Sequence, residues 1–152
     1  MVIKYDEKSC GVVLFREKDG INLYLLLNYP SGHWDLVKGH VEANETEHQT
    51  AARELLEETG IADVHFVDGF REEISYKYRS NRKQGVVSHG VRDRKMSNKQ
   101  VVFFLGKTKL EKVKLSHEHH DYKWLPYEAA YNKLTFDNAK NLVKKAKNFL
   151  SE

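Results

Sequence analysis

Hydrophobic and polar positions follow two different periods along this chain of 152 residues. Apolar runs with strand character lie at 9–16, 21–28, 64–70, 72–78, 100–106 and 122–125. The polar tetrapeptide at 17–20 separates the first two runs and predicts a hairpin. Apolar residues recur at helical spacing from 136 to 150, with lysines on the opposite side, and this predicts an amphipathic helix. Pro126 is expected to begin a shorter helix before it.

A further helix is predicted at 46–59. Thr46 can cap its first turn, Gln49 completes a capping box, and Gly60 follows the last turn as a C-cap. The residues expected to face the core are Ala52, Leu55 and Leu56. Because no repeat or linker divides the chain, strands covered by helices predict one α/β domain, a sandwich that spans 1–152.

Composition describes a soluble globular protein, with 40% hydrophobic and 31% charged residues and a net charge of +3. No apolar run approaches the length of a membrane span, and residues 1–9 lack the apolar core of a signal peptide. The single cysteine, Cys10, excludes an internal disulfide and any multi-cysteine zinc site, and its apolar neighbours predict burial. We therefore expect a cytoplasmic protein that does not act at membranes.

The candidate chemistry lies on the helix at 46–59. Glu54, Glu57 and Glu58 stand at positions i, i+3 and i+4, so their carboxylates project from one face. Like charges side by side disfavour a helix unless a cation lies between them. Carboxylate oxygens are hard ligands, which indicates Mg²⁺, with Mn²⁺ possible, rather than zinc. The alternative is a solvated acidic helix face.

The predicted acidic helix is part of a longer sequence pattern. From Gly39 to Ile61 the chain reads G-x5-E-x7-R-E-U-x-E-E-x-G-U, where U is a bulky aliphatic residue. This resembles the Nudix box, with every fixed position filled. The resemblance implies the Nudix fold, an α/β/α sandwich with a mixed sheet, and metal-dependent hydrolysis of a nucleoside diphosphate linked to another group.

Two further segments indicate which branch of the Nudix family the chain resembles. Residues 32–42 (GHWDLVKGHVE) and 115–125 (LSHEHHDYKWL) are similar to the asymmetrical diadenosine tetraphosphate hydrolases of the animal and archaeal branch. The implied activity is attack of water on phosphorus, which converts diadenosine tetraphosphate to ATP and AMP. The implied partner is a dinucleoside polyphosphate, and we expect a monomer. One alternative is a Nudix enzyme for 5′-triphosphorylated RNA ends or cap-like dinucleotides. Another is a non-catalytic nucleotide-binding Nudix module, although such modules usually lose box carboxylates that this chain retains.

The resemblance also implies roles residue by residue. The implied metal ligands are the Gly39 carbonyl, Glu54, Glu57, Glu58 and Glu118. Glu57, Glu58 and Glu118 are the implied catalytic residues, with Glu57 or Glu118 as the general base. The implied substrate-binding residues are His33, Lys38 and Lys99 for the polyphosphate, and Tyr76 and Phe136 for the adenine. Packing in the core is the alternative for both aromatic residues.

Other residues near these motifs are expected to be structural. Arg53 is expected to pair with neighbouring acids such as Glu45 or Glu57. The histidines at 117, 119 and 120 lack a cysteine partner for zinc and are expected to orient the loop around Glu118, while Tyr122 is expected to be structural.

The chain departs from the family pattern at two places. Val37 stands where the family usually has proline, so we expect a less rigid entry into the box. Residues 80–98 form a long, polar segment rich in lysine and arginine, which is expected to connect two strands. Either this segment attracts highly charged substrates or it is a solvated loop without a specific partner.

Overall fold

The computed structural model describes residues 7–79 and 96–152, and the side chains of residues 7–77 and 97–152. Residues 80–95, which contain most of the basic segment, lie outside the described residues, so its predicted role stays a prediction. Within the described ranges the elements, in chain order, are β1 Glu7–Lys18, β2 Ile21–Asn28, β3 Trp34–Asp35, β4 Val37–His40, α1 Glu47–Thr59, β5 His65–Arg79, β6 Met96–Lys107, β7 Asp121–Leu125, α2 Tyr127–Lys133 and α3 Asp137–Leu150.

The hairpin of β1 and β2 forms as predicted. Lys18 pairs with Ile21, so only two residues make the turn. These are Asp19, with φ 52°, and Gly20, with φ 80°. A two-residue turn with both residues in the left-handed region matches the right-handed twist of the strands, and Asp-Gly adopts this geometry readily.

Strand β1 organises the mixed sheet. It pairs in parallel with β6 along one edge, and its other edge is shared by two antiparallel strands. The segment from Ser9 to Val12 pairs with β4, and the segment from Phe15 to Lys18 pairs with β2. The path through the sheet is β3-β2-β1-β6-β5, with β4 on β1 and β7 on β2. Because β4 pairs with β1, the middle strand of this path, it lies beside the centre of the sheet.

Helices cover both faces of this sheet, which confirms the predicted α/β/α sandwich. One core packs under α2 and α3 and includes Val13, Phe103 and Leu142. The other packs under α1 and includes Val12 and Leu55. Consecutive residues of β1 therefore enter opposite cores, because side chains alternate across a strand. Burial on both faces explains why β1 reads as a continuous apolar run.

Four details differ from the sequence-based expectations. The runs at 64–70 and 72–78 form the single strand β5, with an irregularity between Phe66 and Arg71 that contains Gly69 at φ 92°. Residues 96–98, expected to belong to the connecting segment, are instead the first residues of β6.

The predicted loosening at Val37 is also wrong, since this residue is buried in β4 opposite Val12. Sheet pairing holds the entry into the box without a proline. The fourth difference concerns α1, where Ala51 and Leu55 are fully buried but Leu56 is 49% exposed. Leu56 therefore does not belong to the core.

We predict that Leu55→Ala lowers the free energy of unfolding by about 2–5 kcal/mol, because it removes a fully buried side chain from the core under α1. The same change at the adjacent Leu56 is the matched control and should alter stability by less than about 1 kcal/mol, since that side chain is half exposed. Urea unfolding of both variants provides the measurement. Equal losses would show that the two leucines share the core.

Candidate active site

The ends of α1 are held as the sequence predicts. The Thr46 hydroxyl accepts a hydrogen bond from the Gln49 backbone N–H at 3.1 Å, and the Gln49 side chain accepts from the Thr46 N–H at 2.9 Å. Gly60 ends the helix with φ 74°, and Asn44 has φ 67° in the loop before it. Caps at both ends fix the register of the helix and therefore the directions of its acidic side chains.

A cavity of about 490 Å³ lies between α1, β4 and the loop that precedes β7. The five residues proposed as metal ligands all line it: Gly39, Glu54, Glu57, Glu58 and Glu118. Lys38 and Lys99 also line this cavity. We call this space the carboxylate cavity. It brings together acidic residues from α1 and from a loop about sixty positions later in the chain.

The carboxyl group of Glu54 lies so close to the Gly39 backbone that a side chain at position 39 would have no space. A Cβ atom built on Gly39 would overlap the carboxyl group of Glu54, so a larger residue would displace that side chain. The glycine is thus explained by the space that the carboxylate occupies and not by a left-handed backbone.

Arg53 makes ion pairs with several of the acids around the carboxylate cavity. Its Nε donates to Glu45 at 2.6 Å, and its Nη1 lies 3.0 Å from Glu54 and 3.1 Å from Glu57. Its Nη2 also donates to the carbonyl of His40 at 2.8 Å. These contacts confirm the predicted pairing, and the hydrogen bonds from Arg53 lower the pKa of Glu45 to about 2. The guanidinium therefore links α1 to the loop before it and to β4.

Glu58 differs from the other acids of the helix because it is buried, with 6% of its surface exposed. Burial raises its pKa to about 9, with further contributions from a hydrogen bond with Glu54 and from the charges of Glu54 and Glu118. Lys38 acts in the opposite direction. A buried carboxyl group surrounded by other acids is stabilised as a carboxylate only when a cation joins it.

The donor set fits a divalent cation that prefers oxygen. In the described ranges, no three acidic, histidine or cysteine side chains converge on one point as they stand, and Arg53 lies between Glu54 and Glu57. The carboxylates that line the cavity are nevertheless all hard oxygen donors, and the Glu58 carboxyl group lies 3.1 Å from the His119 imidazole, whose pKa is lowered by burial. These properties suit Mg²⁺ or Mn²⁺ better than zinc.

A second cavity of about 330 Å³ adjoins the first between β5, β6 and the start of α3. We call it the aromatic cleft, because Tyr76 and Phe136 line it together with apolar residues of the sheet and helix. Tyr76 is 41% exposed and Phe136 is 48% exposed, so the alternative that they pack in the core is wrong. Phe136 escapes the core because α3 begins at Asp137 and leaves Phe136 at the N-cap.

Lys38 lines both cavities and connects them. Its ammonium group lies 2.9 Å from the buried carboxylate of Asp35, which also accepts the backbone N–H of Leu36 at 2.7 Å. His33 lines the aromatic cleft, where its ring stacks on Tyr29 at 4.8 Å. Asp35 was not predicted as a site residue, although it lies within the quoted motif at 32–42.

Lys99 belongs to β6 and lies directly opposite Tyr76 in the neighbouring strand β5. Two residues predicted to bind different parts of one substrate are therefore neighbours in the sheet. Asn138, on the first turn of α3, also lines the aromatic cleft and had no signal in the sequence.

The histidines near Glu118 do not act alike. His119 is buried, and its Nε2 lies 3.1 Å from Glu58 Oε1. Burial lowers the pKa of His119. The side chains of His117 and His120 are exposed, and their expected role in orienting the loop stays a prediction. Tyr122 lies in β7 and packs against the core under α1, in agreement with its expected structural role.

In the described part of the chain, no helix has both the length and the apolar character needed to cross a membrane.

Comparison with known proteins gives consistent similarities along the chain. A model of the NUDIX domain matches residues 2–149. An asymmetrical bis(5′-nucleosyl)-tetraphosphatase from Mus musculus is 31% identical over 155 residues, which cover 94% of this chain and 95% of that protein. The protein of the same name from Caenorhabditis elegans is 31% identical over 149 residues, covering 95% of this chain and 96% of that protein. The crystal structure of a C. elegans Ap4A hydrolase binary complex has a TM-score of 0.77 and 30% identity, covering 95% of this chain and 98% of that chain.

We predict that Glu58→Gln raises the melting temperature of the metal-free protein and that the gain grows with pH. The pKa of this carboxyl group is about 9 in the folded chain and 4.5 in a model peptide. Between these values the folded chain holds more protons than the unfolded chain, so wild-type stability falls as the pH rises. Glutamine carries no charge and removes this loss.

The measurement is thermal unfolding in a chelator from pH 5 to 9. Glu57→Gln is the control, because the Glu57 side chain is 56% exposed. A difference between Glu58→Gln and wild type that stays constant with pH would contradict the prediction.

Proposed function

Because the chain belongs to the NUDIX family, we propose that it is a metal-dependent hydrolase that cleaves diadenosine tetraphosphate to ATP and AMP. One observation carries this proposal: the carboxylate cavity and the aromatic cleft adjoin, and Lys38 lines both. A dinucleoside polyphosphate has the matching composition, since a charged phosphate chain ends in a flat aromatic base. The similarity to tetraphosphatases over most of the chain supports the same substrate class.

In this proposal the phosphate chain lies along Lys38, Lys99 and His33. Lysine acts as a point charge on phosphate and can follow a flexible chain. The salt bridge from Asp35 holds the Lys38 ammonium group between the two cavities, which suits a residue that contacts phosphates near the base.

The adenine would lie in the aromatic cleft against Tyr76 and Phe136. Both rings are about half exposed without ligand, so stacking on a base would bury surface that the folded chain leaves in water. Each stacked base contributes roughly 1–3 kcal/mol in single-stranded nucleic-acid complexes.

We assign Mg²⁺, with Mn²⁺ as a substitute, to Glu54, Glu57, Glu58, Glu118 and the Gly39 carbonyl. When bound, a divalent cation neutralises phosphate charge and lowers the pKa of water. Glu58 would be the innermost of these residues, because it is the buried one.

The remaining chemistry is assigned to the carboxylates that face the cavity. Glu57 or Glu118 accepts a proton from the attacking water as the water oxygen bonds to phosphorus. The bond from that phosphorus to its bridging oxygen breaks in line, and ATP and AMP leave. Lys38 and Lys99 hold the phosphates during this displacement.

A cytoplasmic location and a monomeric state complete the proposal. The single cysteine, Cys10, is a buried free thiol, and burial raises its pKa to about 11. Such a thiol is shielded from oxidation and needs no partner, which agrees with a reducing compartment. Size-exclusion chromatography with light scattering measures the oligomeric state.

The test is product analysis with Mg²⁺ in ¹⁸O-labelled water. We expect ATP and AMP from diadenosine tetraphosphate, with label in one product. Two molecules of ADP would contradict asymmetrical cleavage. Faster turnover of 5′-triphosphorylated RNA or a cap-like dinucleotide would favour the alternative enzyme, and binding without turnover would favour a non-catalytic module.

Glu58→Gln is predicted to lower kcat for diadenosine tetraphosphate by about 10²–10³, the scale of losing one main electrostatic stabiliser. The fold should persist, since glutamine keeps the shape of the side chain. Glu128→Gln, which changes an exposed acid on α2, serves as the control. Near-normal turnover in a folded Glu58→Gln protein would remove Glu58 from the catalytic group.

Tyr76→Ala is predicted to raise KM for the dinucleotide by an amount that reflects roughly 1–3 kcal/mol of lost stacking, with a smaller effect on kcat. Tyr76→Phe is the matched control, because it keeps the ring and should keep KM near the wild-type value. Steady-state kinetics on the three proteins supply the comparison. A KM that Tyr76→Ala leaves unchanged would show that no base stacks on this residue.

A further inference from the structure

His119 occupies an unusual place in the loop that carries Glu118. Glu118 and His119 both line the carboxylate cavity, but the His119 side chain is only 1% exposed. Its Nε2 lies 3.1 Å from Glu58 Oε1. Its ring also makes a T-shaped contact with the ring of Tyr29, with centroids 4.4 Å apart and an interplanar angle of 88°. The imidazole therefore contacts both an aromatic residue and a carboxyl group.

The loop is joined to the end of α1 by further bonds. The Lys114 N–H donates to the Thr59 carbonyl at 2.8 Å, and the Ser116 N–H donates to the Glu58 carbonyl at 3.2 Å. The backbone thus brings the loop to the last turn of the helix. The His119 side chain adds the link that reaches the Glu58 carboxyl group itself.

The hydrogen bond has a direction once Glu58 is ionised. An ionised carboxylate only accepts, so the imidazole must donate through Nε2–H, and Nδ1 is then an acceptor. Nδ1 is buried and has no hydrogen-bond partner among the residues that the structure describes. A buried polar atom without a partner is unfavourable for folding, and an apolar side chain at this position would avoid it. Fold stability alone therefore does not explain a histidine here.

We propose that His119 is a positioning residue, whose Nε2–H holds the Glu58 carboxylate in the orientation that binds the divalent cation and keeps the Glu118 loop against α1. The inference rests on the metal site of the proposed function. Residues that hydrogen-bond to metal ligands orient those ligands, and their loss typically reduces metal affinity or activity by 10–100-fold. His119 thereby joins two proposed ligands that lie far apart in the sequence.

The test measures binding of Mn²⁺ by electron paramagnetic resonance in the absence of nucleotide. His119→Leu removes the donor and should weaken binding by about 10–100-fold. His119→Gln places an amide N–H near the former Nε2 and should recover most of the affinity. His117→Leu, in the same loop but with an exposed side chain, is the matched control and should bind as wild type does.

Thermal unfolding in a chelator separates positioning from support of the fold. His119→Leu should melt within about 4 °C of wild type, because the lost contact is offset by removal of the unpaired Nδ1. If this variant does not fold, His119→Phe replaces it, since phenylalanine keeps a ring against Tyr29 and still lacks the donor. In turnover assays the loss should fall on kcat, with KM for the dinucleotide little changed.

Unchanged Mn²⁺ affinity in a folded His119→Leu or His119→Phe protein would overturn the proposal. So would a glutamine variant that binds as weakly as the leucine variant. Wild-type protein that binds Mn²⁺ but does not cleave diadenosine tetraphosphate would contradict the proposed function and leave the role of His119 standing. Wild-type protein that binds no Mn²⁺ would overturn both.

Discussion

The whole site depends on keeping several carboxylates close together on one short helix. Glu54, Glu57 and Glu58 repel one another, and α1 still forms because other interactions oppose the repulsion. Arg53 shares its guanidinium among Glu45, Glu54 and Glu57 at 2.6–3.1 Å. The Arg53 guanidinium thus holds three acids, of which only Glu57 has an exposed side chain.

Glu58 escapes this arrangement because it points into the protein. It is hydrogen-bonded to His119, and burial is the main reason that its pKa is raised, with a hydrogen bond to Glu54 adding to the rise. Gly39 completes the wall, since any side chain there would occupy the space of the Glu54 carboxyl group. Stability is given up locally to keep a buried carboxyl group ready for a cation, which is common at functional sites.

The sheet explains why the acidic helix lies beside a place for a nucleotide base. Because β1 shares one edge between β4 and β2, the residues of β4 lie near the centre of the molecule and below α1. Lys38 and Gly39 are adjacent in β4, so one strand supplies a wall of the carboxylate cavity and the link to the aromatic cleft. On the far side of β1, the pairing of β5 with β6 brings Tyr76 beside Lys99. Strand register, rather than any single motif, joins the two halves of the site.

The sequence by itself determined the hairpin, the caps of α1, the acidic face and the family pattern, because each depends on residues close together in the chain. Thr46 and Gln49, or Asp19 and Gly20, satisfy local hydrogen bonds and backbone angles that spacing reveals. Only the tertiary structure decided which side chains meet across long separations. It exposed Leu56 and Phe136 and directed His119 to Glu58. Those outcomes depend on how elements pack against both faces of the sheet, and local periodicity carries no information about that packing.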